Sequence, residues 1–181
     1  TRVTASTTYT TAGATTYYAR WTGDAYTITW DLGDGKTETT QQVYGTNLTL
    51  PTAPTKVGHI FAGWYTAKTG GTQVTGNTIY QIQGPCTYYA QWEAKSYIIT
   101  WDLGDGKTET TQQTYGETLK LPADPVKDEY TFDGWYTAEN GGTEVTEDTV
   151  YTADGPSTYY ARWTKVQAFS VTVPAVLPLA M

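Results

Sequence analysis

The sequence predicts mainly β modules arranged in tandem, with little helix. Three observations carry this. Trp30, Trp64 and Trp92 recur as Trp101, Trp135 and Trp163, always 71 residues later, and TWDLGDGKTETTQQ at 29–42 returns unchanged at 100–113. A constant period of this size marks one structural unit written more than once. Within the unit, apolar and polar residues alternate with the period of two that a half-buried strand requires. Gly- and Pro-rich punctuation between those runs supplies turns and leaves room for no more than a short helical turn.

Taken in order, residues 1–21 (TRVTASTTYTTAGATTYYARW) match 72–92 and 143–163, so they correspond to the C-terminal part of a truncated repeat. Full repeats follow at 26–92 and 97–163, joined by the short linkers TGDA and EAKS, which restrict relative freedom. Residues 164–181 read as the start of a following domain, with FSVTVPAVL as its strand. In the first full repeat, YTITWDL places Ile28, Trp30 and Leu32 on one face and Thr27, Thr29 and Asp31 on the other. GDGK at 33–36 is a tight hairpin turn, since Asp-Gly accepts the positive φ such turns need. TETTQQVY favours strand but is almost wholly polar, which predicts an edge strand or one wet on both sides. LTLPTAPTKVG is a crossing loop with two prolines, HIFAGWYT is a strand in which Gly63 marks a bulge or a close backbone approach, and TYYAQW closes the unit.

Composition narrows the function. The 181 residues carry a net charge of −7 with no Lys/Arg cluster, which argues against nucleic acid as a partner. The tail is too short to span a bilayer and is broken by Pro174 and Pro178, so no membrane insertion is expected in this chain. Cys86 is the one cysteine; Thr15 and Ser157 take its place in the other copies, so no disulfide or Cys-based metal site is expected within the chain. It reads as a small semi-buried side chain rather than a reactive thiol.

The order YTITWDLGDGKTETTQQVYG, then LPTAPTKVGHIFAGWYTAKTGGTQV, then TYYAQW resembles the Listeria–Bacteroides repeat family, which includes the internalin B-repeats. GWYT, a following GG and a terminal YAQW or YARW form its specific signature, present in both full repeats. The resemblance implies an α+β, β-grasp (ubiquitin-like) module of bacterial surface and secreted proteins. It implies an extracellular setting, at the cell surface or secreted, with other domains of the same surface protein as partners.

Sites of chemistry are weighed against this repetition. Asp31, Asp34 and Glu38 are oxygen ligands close in sequence, but they depart from the EF-hand pattern, and a turn is the stronger reading. Glu144 and Glu147 are matched by Gln73 and Gly76 and read as a solvated face. His59, the one histidine, is matched by Tyr130, which argues against His-based catalysis. An isopeptide bond is argued against by Lys36 and Lys107 in polar turns and by Asn47, which is matched by Thr118. No catalytic residue, cofactor site or metal site is therefore assigned.

Trp30, Trp64, Trp92, Trp101, Trp135 and Trp163 are assigned to the core, because a small domain must bury its largest side chains. Tyr89 should face outward while Tyr88 faces inward with Trp92; Tyr18, Tyr89 and Tyr160 are then the possible binding residues, for host glycan or protein. Tyr17, Tyr18 and Trp21 lack the strands that would cover them. If ordered, residues 1–21 should pair with the following repeat or with a neighbouring copy's tail, head to tail. The reading is a non-catalytic stalk or spacer of an adhesin, and the rival is a glycan- or protein-binding module.

Overall fold

The computed structural model describes residues 2–167. Those residues form a mainly β protein of two tandem modules, each a five-stranded mixed sheet, and no helix occurs among them. The expected strand FSVTVPAVL lies outside the described residues.

The first sheet contains β1 (Ala25–Gly33), β2 (Lys36–Val43), β3 (His59–Tyr65), β4 (Gln73–Val74) and β5 (Cys86–Ala94), in the order β2-β1-β5-β3-β4. The second contains β6 (Ser96–Gly104), β7 (Lys107–Thr114), β8 (Tyr130–Tyr136), β9 (Glu144–Val145) and β10 (Ser157–Lys165), in the same order. β1 and β2 form an antiparallel hairpin, while the first and last strands of each module pair in parallel, Trp30 opposite Tyr88 and Trp101 opposite Tyr159. The EAKS linker is mostly strand: β5 runs to Ala94 and β6 starts at Ser96, leaving Lys95 between them.

The Asp-Gly turn follows from its chemistry. Asp34 and Gly35 have φ of 55° and 75°, as do Asp105 and Gly106 at 54° and 73°, the paired positive values that match a hairpin's twist. The Asp31 carboxylate accepts a hydrogen bond from the Gly33 N–H at 2.9 Å and closes the bulge before the turn.

Each module buries the same seven apolar positions. They are Ile28, Trp30, Leu48, Trp64, Val74, Tyr80 and Tyr88 in the first, and Ile99, Trp101, Leu119, Trp135, Val145, Tyr151 and Tyr159 in the second. Trp30 meets Trp64 edge to face at 5.0 Å, as Trp101 meets Trp135. Trp92 and Trp163, expected in the core, are instead half-buried at its rim. Both sit near strand ends, each packed on one phenylalanine (Phe61 at 5.4 Å, Phe132 at 5.5 Å) with a lysine over the ring. Trp163 also donates from Nε1 to the Leu103 carbonyl at 3.1 Å. On β8 the register skips Asp133, so Phe132 and Trp135 both reach the core side despite their odd spacing. Gly134, beside the skip, has φ +127°.

Of the two expectations for the polar second strand, the edge position holds, since β2 and β7 end their sheets, whereas wetness on both sides does not, since Gln42 and Gln113 are buried. Gln42 Nε2 donates to Thr46 Oγ1 at 2.7 Å and to the Asn47 carbonyl at 2.9 Å, and its Oε1 accepts from the Thr49 N–H at 2.9 Å. Gln113 repeats this with the Thr118 carbonyl and the Lys120 N–H at 2.9 and 3.0 Å. Thr40 and Thr111, also on the core side, accept the indole N–H of Trp30 and Trp101 at 2.9 Å. The strand is polar because it hydrogen-bonds the core tryptophan and the crossing loop, with no apolar side chain facing inward from its middle.

Residues 2–24 contain no strand. The expected pairing of 1–21 with the following repeat is absent from the described residues: Tyr18 is 84% exposed and Trp21 92%. The segment keeps one local feature of a full module, a tyrosine hydroxyl donating to a glycine carbonyl four residues on. Tyr9 and Gly13 make it here, Tyr80 and Gly84 in the first module, Tyr151 and Gly155 in the second.

Candidate functional site

The sheet pairing sets the outward rows. In the second module Thr108, Asp102, Tyr160, Tyr136 and Glu144 follow one another across β7, β6, β10, β8 and β9. Tyr160 and Tyr136 thus stand side by side on the open face, both half-buried. In the first module Asp31 lies beside Tyr89, with Tyr88 buried on the opposite side. Tyr18 belongs to no strand and is exposed. Glycine is favoured next to this row by its backbone, with φ of +134° at Gly63 and +127° at Gly134, and a Cβ there would also press on the side-chain ends of Gln73 and Glu144.

The tyrosine faces carry cations of the chain itself. Lys68 Nζ sits 5.8 Å from the centre of the Tyr89 ring and 3.5 Å from Asp31 Oδ2. Arg162 lies 3.9 Å from the centre of the Tyr136 ring.

Other expected chemistry is dispersed. Glu38 stands opposite Trp30 and Asp31 opposite Thr37, so these carboxylates point to opposite faces and do not converge. No group of three or more His, Cys, Asp or Glu side chains among the described residues is placed to hold a metal ion. His59 Nδ1 donates to the Val57 carbonyl at 2.8 Å. Cys86 is half-buried beside Tyr80 and Tyr88. The matching positions carry hydroxyls: Ser157 Oγ is 3.2 Å from the Tyr151 hydroxyl and Thr15 Oγ1 is 3.3 Å from that of Tyr9. Burial, then the Cys86 partner, pushes the Tyr80 hydroxyl up to about 12, and burial raises Tyr88 further still.

Two groups were invisible to the sequence reading. Asp154 accepts from Lys95 Nζ at 3.0 Å and from the Tyr97 hydroxyl; these partners hold its carboxyl below the usual range. The cue was only that Gln83 stands 71 residues earlier. Glu144 and Glu147, read as a solvated face, are exposed and border an open concavity of about 470 Å³ with Asp124, Asp133 and Asp148.

A β module written twice, with a duplicated core and an aromatic outer face, defines a tandem-repeat protein. The family model described as the Listeria-Bacteroides repeat domain matches residues 26–91 and 97–162. The chain belongs to the Listeria–Bacteroides repeat family. It is similar to Internalin H of Listeria monocytogenes, 44% identical over 144 residues, covering 78% of this chain and 26% of that protein. A protein of Evansella cellulosilytica described as a Gly-rich membrane protein is 29% identical over 87% of this chain and 18% of its own length. Another from that organism, described as a membrane protein, is 30% identical over 81% and 23%. The chain thus spans about a quarter or less of the relatives it matches.

Proposed function

We propose that this chain is a non-catalytic stalk or spacer segment of an extracellular bacterial surface protein of the adhesin type. The observation that carries the proposal is the parallel pairing of each module's first and last strands, Trp30 opposite Tyr88 and Trp101 opposite Tyr159. Tension between a module's ends loads those ladder hydrogen bonds together in shear, which suits a segment that holds length under load. The relatives' names, Internalin H and two membrane proteins, support the surface setting. The strand order and the central parallel pair support the β-grasp reading, with the Pro-rich loop where a helix would cross. Pulling on the chain by its ends tests the role. Two unfolding events of similar force are expected, each releasing on the order of 200 Å of chain. Modules that extend without a force peak would refute it.

Assembly belongs to the same proposal. β2 and β7 are open edge strands, and residues 2–24 expose Tyr17, Tyr18 and Trp21, so copies join head to tail through strand edges. Deleting residues 166–181 and measuring assembly size by light scattering tests the tail's part in this; unchanged size removes it. The rival reading, glycan or protein binding through Tyr89 and Tyr160, must displace Lys68 from the Tyr89 ring. Binding of the two-module chain to host cells or glycans, with loss on Tyr160→Ala, would favour that rival over an inert spacer.

A further inference from the structure

The two modules share a core but differ along one side. In the second, Asp124, Asp133, Glu144, Glu147 and Asp148 line the concavity of about 470 Å³, together with Phe132, Trp135 and Val145. Seventy-one residues earlier the five carboxylates are Ala53, Ala62, Gln73, Gly76 and Asn77, all neutral. No lysine or arginine lines the concavity. Five negative charges within one small surface repel one another, a cost that an incoming cation removes.

A second observation points to a ligand. Trp135 is 2% exposed and lines the same concavity, and its indole N–H has no hydrogen-bond partner among the described residues. A buried donor left unpaired costs free energy that an acceptor oxygen would recover. The ligand therefore needs both positive charge and an acceptor.

The sheet edge adds the third requirement. β9 (Glu144–Val145) is the outermost strand and pairs only with β8, so its other side is open to an added strand. Residues 144–148 both continue from that edge and line the concavity. An extended peptide can meet all three needs: backbone groups for β9, a carbonyl for the Trp135 N–H, and alternate side chains for the carboxylates. The carboxylates do not gather into a metal-binding group, which suits charges spread along a chain better than one divalent ion.

We propose that the β9 edge of the second module is a docking site for an extended lysine-rich peptide segment, and that the first module lacks it. Lysine side chains bind the carboxylates while their stems lie on the half-buried Phe132.

The test titrates the full chain with acetyl-(Lys-Thr)4-amide, with acetyl-(Glu-Thr)4-amide as the sign control, following backbone and indole N–H resonances. Shifts at residues 132–135 and 144–148, including the Trp135 indole, are expected with the basic peptide alone. One variant gives the second module the first module's residues, Asp124→Ala, Asp133→Ala, Glu144→Gln, Glu147→Gly and Asp148→Asn; each is already compatible with the fold 71 residues earlier. It should weaken binding at least about ten-fold, the sum of several exposed charge pairs. A second variant removes the same charge elsewhere, through Asp24→Asn, Glu38→Gln, Glu93→Gln, Glu109→Gln and Asp128→Asn, and should bind within about three-fold of the parent, since distant exposed charges are screened. Equal weakening in both variants, shifts confined to other surfaces, or a glucosamine tetramer that moves these resonances when the peptide does not would overturn the proposal.

Discussion

Replacing Gln113 by Leu tests whether the polar second strand stabilises the module through its buried amide. The two side chains are similar in size, so the change opens little cavity. It removes the bonds to the Thr118 carbonyl and the Lys120 N–H, at 2.9 and 3.0 Å, around a side chain with no exposure. Leaving a donor and an acceptor unsatisfied costs about 1–3 kcal/mol each where water cannot reach, so a loss of about 2–6 kcal/mol is expected. A module of this size is stable by only about 3–10 kcal/mol at the usual yield per residue, so the second module should unfold well before the first. Urea unfolding followed by tryptophan fluorescence should then split into two steps. The matched control is Gln112→Leu on the exposed face of the same strand, expected within about 0.5 kcal/mol of the parent. If Gln113→Leu were as mild as that control, or stabilising, the amide would be incidental and the account of this strand would fail.

Trp101→Ala should cost about 3–5 kcal/mol by calorimetry, whereas Trp163→Ala, at the rim, should cost clearly less. Gly134→Ala should destabilise by about 1–3 kcal/mol in the same measurement, because φ is +127° and the new Cβ meets Glu144 Oε1 at 3.0 Å. Tyr80 predicts the alkaline limit of the first module. Its hydroxyl is raised from 10 to about 12 on folding, so this stabilisation is complete below pH 10 and is lost as pH rises from 10 towards 12. Tyr80→Phe should flatten that part of the stability-versus-pH curve, and an unchanged curve would count against the burial argument.

Much of the fold was legible because strand signals here are local. The Asp-Gly pair sets two positive φ values by itself, and Gly63 was marked as a bulge or close approach because a strand interior seldom tolerates a missing side chain without reason. Alternation placed Tyr88 inward and Tyr89 outward, since side chains on a strand must face opposite ways. The edge position of the second strand was legible, but its buried glutamine was not, because hydropathy cannot tell a glutamine in water from one whose donors and acceptors are answered inside the protein.

The candidate site was less legible for the same reason. Asp124 and Asp133 are far enough from Glu144 and Glu147 in sequence that only the fold brings them to one concavity. Asp154 meets Lys95 across fifty-nine positions. The half-burial of Trp92 and Trp163 depends on how much of the ring its neighbours cover, a quantity absent from any single strand's pattern.

By itself the sequence determined the repeat, its period, the hairpin turn and the inward face of the first strand, because each rests on spacing or on one residue's backbone preference. The tertiary structure alone decided the parallel pairing of first and last strands, the burial of Gln42 and Gln113, and the acidic edge of the second module. Those depend on contacts between distant segments, whose energies arise only when the chain has closed its sheets.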